Sequence, residues 1–124
     1  MSNANEIGTK LVELCKQGKN GEAIESLYAD DVVSVEAGEG GQFPRELQGK
    51  GKILEKNQWW GENHEVHSGE VSGPFPHGTD RFAVIFSFDI TNKPSKQRFQ
   101  LEEVGVYHVS EGAIVREEFF YSMG

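Results

Sequence analysis

Basic residues are in the minority here, with 12 Lys and Arg against 20 Asp and Glu and a formal net charge of -8. Nucleic-acid binding rests on neutralising phosphates, and anionic membrane surfaces recruit Lys and Arg, so this balance argues against both partners. Cysteine is nearly absent: Cys15 stands alone, which excludes an internal disulfide framework. No apolar run approaches the ~20 residues needed to span a bilayer. The opening Met-Ser-Asn-Ala-Asn-Glu lacks the basic and apolar regions of a secretory signal, so a cytoplasmic location is expected. There is no Walker-type glycine loop, nucleotide fingerprint or Gly-x-Ser-x-Gly elbow, and the glycines of 37–51 lack phosphate-cradling spacing. His64-Glu65-Val66-His67 invites a metal reading, but residues i and i+3 of a strand face opposite ways, and His77 and His108 are distant. Neither a metal nor a cofactor is expected.

What is present suits one globular domain over 1–124, with 36% hydrophobic and 26% charged residues. Ile7, Leu11, Leu14 and Cys15 form one stripe of a first helix over 5–17, with Cys15 a small buried hydrophobe and Gly18 the stop. Asn20 is placed to cap a second helix burying Ala23, Ile24, Leu27 and Tyr28, which Ala29-Asp30-Asp31 would end. A Val-rich strand over 32–36 precedes a glycine-rich loop over 37–51. The third helix is expected over 52–60, with Ile53, Asn57 and Trp60 on one face, Trp60 in the core and Trp59 nearer a pocket mouth. After a weak strand over 65–72, Pro74, Pro76, Gly78 and Asp80 read as a turn.

Phe82, Val84, Phe86, Phe88 and Ile90 make the clearest strand, uniformly apolar on one face. Strands over 98–109 and 113–121 follow, joined at Ser110-Glu111-Gly112. Glu103 and Glu117 fall inside otherwise apolar alternation. A three-residue loop would pair Val109 with Ala113 and Gly105 with Glu117, placing Leu101, Glu103, Gly105, Tyr107, Val115, Glu117, Phe119 and Tyr121 on one face. That face carries fewer charges and more aromatic groups, so it is assigned inward. A two-residue loop would pair Gly105 with Glu118 and break the assignment. Three helices followed by an antiparallel sheet, without βαβ alternation, indicate α+β.

The run Tyr28-Ala29-Asp30-Asp31, then a Val-rich strand ending in Glu36, resembles the nuclear-transport-factor-two-like superfamily, which includes SnoaL-like polyketide cyclases and ketosteroid isomerases. Phe82–Asp89 is similar to an isomerase pocket strand, and Val104–Val115 to the penultimate hairpin of SnoaL-like domains. The resemblance implies a cone: helices packed on a strongly curved antiparallel sheet with a mixed edge, an apolar pocket between them, and dimerisation through the outer sheet face. It puts the isomerase base at Glu36 (or Ala37, if the alignment gains one residue). It puts the oxyanion donors near Val12 and at Gly105, which carry no suitable group, so steroid isomerisation is not expected.

The candidate acid–base residues are Glu117, Glu103 and Glu36, since burial against apolar groups raises a carboxyl's pKa towards neutrality. Tyr121 and Tyr107 would orient a ligand, with Phe82, Val84, Phe86, Phe119 and Trp59 around it. The expected activity is isomerase, cyclase or hydrolase chemistry on an apolar carbonyl compound. The alternative is a non-catalytic protein binding an apolar small molecule, or a dimeric scaffold. A homodimer would bury Val104, Val106, Ile114 and Phe120, which should not be left in water.

Overall fold

Asn3 opens the first helix, its side chain accepting from the Glu6 N–H at 3.0 Å, one of the donors a helix start leaves unpaired. In the computed structural model this helix is α1, Ala4–Lys16; residues 3–38 and 41–121 are described, and Gly40 of the glycine-rich stretch lies outside them. Then come α2 (Asn20–Leu27), β1 (Tyr28–Val35), β2 (Glu46–Gln48), α3 (Lys50–Asn63), β3 (His64–His77), β4 (Arg81–Asn92), β5 (Gln97–Ser110) and β6 (Ala113–Phe120). The strands form one sheet in the order β2-β1-β6-β5-β4-β3, antiparallel except where β1 runs parallel to β6. With β2 and β3 as free edges, it is curled but not closed.

The core fills the concave side of the sheet. Ile7, Leu11 and Val12 of α1 meet Ile24, Ile53 and the inward row of β4, where Phe82, Val84 and Phe86 are all buried. No helix among the described residues is long and apolar enough to cross a membrane.

Several boundaries differ from expectation for local reasons. Lys19 holds the N-cap position of α2, and Asn20 is already helical. Ala29-Asp30-Asp31 belongs to β1, in the irregular stretch between its Tyr28–Ile114 and Val33–Arg116 pairings with β6. The 37–51 stretch contains β2, which pairs with β1 through Leu47 and Ser34. Gly61 does not stop α3, which continues to Asn63. β3 runs through Pro74 and Pro76 to His77; it is an edge strand, where a missing N–H donor is tolerated.

The β5–β6 hairpin departs twice from the preferred register, and the departures add to a shift of two residues that preserves the assignment of faces. Its turn has two residues, Glu111 and Gly112, with Ser110 opposite Ala113 and Val109 opposite Ile114. A bulge then leaves Val115 without a partner, so His108 meets Arg116, Tyr107 meets Glu117 and Gly105 meets Phe119. Each departure shifts the pairing by one residue, and together they restore the parity that turns Glu103, Tyr107, Glu117, Phe119 and Tyr121 inward. Ile114 lies on the turn side of the bulge. It therefore points into the core, where it is 0% exposed, and cannot belong to an outer apolar face.

Candidate functional site

Glu117 lies buried on the concave side and is 3% exposed. The Tyr28 hydroxyl donates to its Oε1, and the Ser34 hydroxyl donates to Oε2 at 2.6 Å. Ser34 in turn accepts from Lys56 Nζ at 2.9 Å, and an ammonium can only donate, so the serine proton is committed to Glu117. Lys56 also pairs with Glu36 at 2.7 Å, and Tyr121 donates to the other Glu36 oxygen at 3.1 Å. The result is one chain of hydrogen bonds, Tyr28 to Glu117 to Ser34 to Lys56 to Glu36 to Tyr121. Burial pushes the Glu117 carboxyl above its ordinary range, against the opposing pull of the Ser34 and Tyr28 hydroxyls and the Lys56 charge.

Glu103 is arranged differently. It shares the inward row of β5 with Tyr107, and its side chain makes no hydrogen bond among the described residues. Burial, reinforced by the charges of Glu36 and Glu117, pushes its pKa up to about 7. Gly105 lies between Glu103 and Tyr107, and a Cβ there would lie 3.0 Å from the Tyr107 hydroxyl and 3.2 Å from the Phe119 ring. The missing side chain is the space into which Tyr107 leans. That also explains why no oxyanion acid could stand at Gly105, while Val12 is packed in the core at 4% exposure.

Above these groups is a cavity of about 470 Å³, bordered by Glu36, Glu103, Glu117, Tyr107, Phe119 and Tyr121. Its other end is aromatic. Trp60 stacks on His64 with ring centroids 4.4 Å apart, and Trp59 meets Phe43 edge-on at 5.9 Å. His64 Nδ1 donates to the Trp60 carbonyl at 2.8 Å, which leaves Nε2 as the acceptor from Asn92. Both tryptophans are half-buried and line the cavity, so Trp60 is not a core residue. α3 passes over the cavity rather than into the core, and Ile53 is the residue it buries. Cys15 also borders the cavity, its thiol pushed up to about 12 by burial and by Glu117.

The structure thus brings Glu36, Glu103, Glu117, Tyr107, Tyr121, Phe86, Phe119 and Trp59 to one cavity. Phe82 and Val84 lie behind it in the core, Phe82 stacked on Tyr107 at 5.0 Å between ring centroids. Three polar participants escaped the sequence reading: Tyr28, Ser34 and Lys56. Ser34 had a signal, being the one polar residue in Val32-Val33-Ser34-Val35 and fully buried. Lys56 had a weaker one, standing three residues after Ile53 and four before Trp60 on the inward side of α3.

Three helices packed on a curled six-stranded mixed sheet, with a cavity between the layers, define the nuclear-transport-factor-two-like class. A protein of that class from Burkholderia thailandensis superposes with a TM-score of 0.80 at 15% identity, covering 98% of this chain and 92% of its own. The SnoaL-like domain model matches residues 1–121, and the chain belongs to the SnoaL-like family. A Mesorhizobium loti protein, provisionally designated a SnoaL-like polyketide cyclase (carbohydrate phosphatase), is 46% identical over 94% of this chain and 97% of its own, with a TM-score of 0.87. A provisionally designated polyketide cyclase from Pseudomonas putida gives a TM-score of 0.74 at 16% identity, covering 99% and 93% of the two chains. No curated protein sequence matches this chain.

Proposed function

We propose that the cavity performs acid–base chemistry of the isomerase or cyclase type on an apolar carbonyl compound, with Glu103 as the group that moves the proton. The observation that carries this reading is the contrast among three carboxyls. Glu117 accepts from two hydroxyls and Glu36 is paired with Lys56, whereas Glu103 borders the cavity with no such partner and titrates at about 7. A carboxyl titrating near the working pH is suited both to accept and to return a proton. Its carboxylate takes a proton from the carbon beside a ligand carbonyl; the C–H electron pair forms the new carbon–carbon double bond and the carbonyl π pair moves onto oxygen. Isomerisation follows when Glu103 returns the proton to another carbon. Cyclisation follows when the enolate carbon attacks a second carbonyl of the same molecule and the new alkoxide takes the proton. Tyr107 and Tyr121 orient the ligand, and Trp59, Phe86 and Phe119 hold its apolar body. A cavity of about 470 Å³ suits a small molecule of this kind.

The test uses 2-tetralone in D2O, with hydrogen exchange beside its carbonyl followed by NMR. The wild type should accelerate exchange above buffer and Glu103→Gln should return it to background. Wild-type exchange at background would sink the acid–base reading and leave the second one, a cavity that binds apolar ligands without catalysis. That second reading is favoured by the full engagement of Glu36 and Glu117.

The same proposal includes a homodimer through the outer sheet face, now without Ile114. Ile85, Val104 and Phe120 stand opposite one another across β4, β5 and β6, with Val106 and Phe75 in the adjacent row. Ile85, Phe75 and Phe120 are 42%, 49% and 53% exposed, and an isologous contact would cover them. Sedimentation should give a dimer, and the double substitution Ile85→Lys, Phe120→Lys a monomer with unchanged circular dichroism. A monomeric wild type at micromolar concentration would rule the dimer out.

A further inference from the structure

When a proton leaves the carbon beside a carbonyl, negative charge accumulates on the carbonyl oxygen. The cavity is poorly disposed to receive it, since Glu36, Glu103 and Glu117 all border the space. Among the described residues that line the cavity, Lys56 is the sole Lys or Arg. Its ammonium has three N–H donors. One goes to Ser34 Oγ at 2.9 Å and one to Glu36 Oε1 at 2.7 Å, and the third meets no acceptor among the described residues. Nζ lies 5.7 Å from the centroid of the Phe119 ring, itself part of the cavity wall. Lys56 is thus held from two sides, half-buried, with one donor left for a ligand.

The positions at which the isomerase resemblance puts oxyanion donors offer no substitute. Val12 is an apolar core residue, and the space beside Gly105 is taken by Tyr107 and Phe119. A fixed cation is effective at such a site because it is oriented before charge develops and needs no reorganisation during the reaction.

We propose that Lys56 is the oxyanion-stabilising residue of the cavity, with Glu36 and Ser34 positioning its ammonium so that the third N–H donates to the carbonyl oxygen as that oxygen gains charge. No proton changes hands in this contact; Lys56 remains an ammonium throughout. The proposal rests on the acid–base reading of the cavity and names the group that reading lacks. The competing assignment makes Lys56 a neutralising partner for Glu36 alone, and the two differ in what a ligand oxyanion experiences.

The experiment binds 4-nitrophenol, whose phenolate absorbs in the visible, and compares it with 4-nitrotoluene as a neutral isostere. It is run at about pH 6, roughly one unit below the pKa of Glu103, where that carboxyl is largely protonated. The wild type should raise the phenolate fraction of the bound probe above that of free probe at the same pH. Lys56→Met should weaken phenolate binding about tenfold or more, the loss expected for a hydrogen bond to a charged group, and leave 4-nitrotoluene binding within about twofold. Because that variant strands the Glu36 carboxylate, the double variant Lys56→Met, Glu36→Gln is measured beside it and should show the same selective loss. Lys56→Arg should preserve the phenolate preference. A double variant that binds phenolate and 4-nitrotoluene as the wild type does would overturn the proposal, as would a wild type with no preference for phenolate. Nitrophenol binding requires no proton transfer by Glu103, so failure here is distinct from failure of the tetralone exchange.

Discussion

Tyr28, the first residue of β1, donates its hydroxyl proton to Glu117 of β6, a hydrogen bond across 89 positions of sequence. Ser34 completes the cradle from the same strand. β1 and β6 are the one parallel pair of the sheet, and this contact ties their side chains together on the concave side.

Removing either donor should therefore destabilise the fold. Tyr28→Phe and Ser34→Ala each delete one hydrogen bond to a buried carboxyl, and each should cost about 1.5–3 kcal/mol in urea unfolding. The double variant should lose less than the sum of the singles, because both act on the same carboxyl. Additive losses would mean that the two contacts are energetically separate.

Stability should fall as pH rises through neutrality. Burial holds Glu103 at about 7 against an ordinary 4.5, so the unfolded chain releases this proton first. The contribution is whole below pH 4.5 and disappears as pH passes 7, a loss of about 3 kcal/mol from this group. Urea titrations at pH 5 and pH 8 measure it. Glu103→Gln, which cannot ionise, should flatten that part of the profile; an unchanged slope would contradict the burial argument.

The β5–β6 turn carries correctable strain. Glu111 and Gly112 have φ of 51° and 79°, the left-handed pair that a type I′ hairpin turn requires. A side chain with Cβ is disfavoured there, Asn least. Glu111→Asn should raise stability by about 0.5 kcal/mol, and Gly112→Ala should lower it by about 1 kcal/mol. Thermal melts of the two variants moving in opposite directions would bear this out.

Gly69 lies exposed on the edge strand, where most substitutions change stability by less than about 0.5 kcal/mol. A Cβ there would fall 2.1 Å and 2.5 Å from two ring atoms of Phe88, which covers the glycine from β4. Gly69→Ala should cost about 1–3 kcal/mol by displacing that ring towards the cavity. In a Phe88→Leu background the same change should cost little. Equal losses in both backgrounds would place the strain elsewhere.

The sequence by itself determined the three helices, the strands other than the short β2, the fold class and the family resemblance. Period-two alternation in Phe82–Ile90 and the helical stripe of Ile7, Leu11 and Cys15 are local patterns set by which side must be buried. It also pointed to Glu103 and Glu117 as carboxyls in apolar company, because alternation makes an inward polar group visible. What only the tertiary structure decided is who meets whom. The hairpin register turned on a two-residue turn and a bulge at Val115, and neither alters the hydrophobic pattern by which register was judged. Ile114 consequently moved from the outer face to the core. The site's remaining members, Tyr28, Ser34 and Lys56, come from three separate elements, and no spacing in the chain announces that a strand serine will accept from a helix lysine while donating to a carboxyl 83 residues away. Distinguishing three similar glutamates had the same origin. The titration of Glu103 and Glu117 depends on burial and on neighbouring charges and hydroxyls, and the pairing of Glu36 depends on Lys56; those are fixed only when the sheet curls and α3 closes over it.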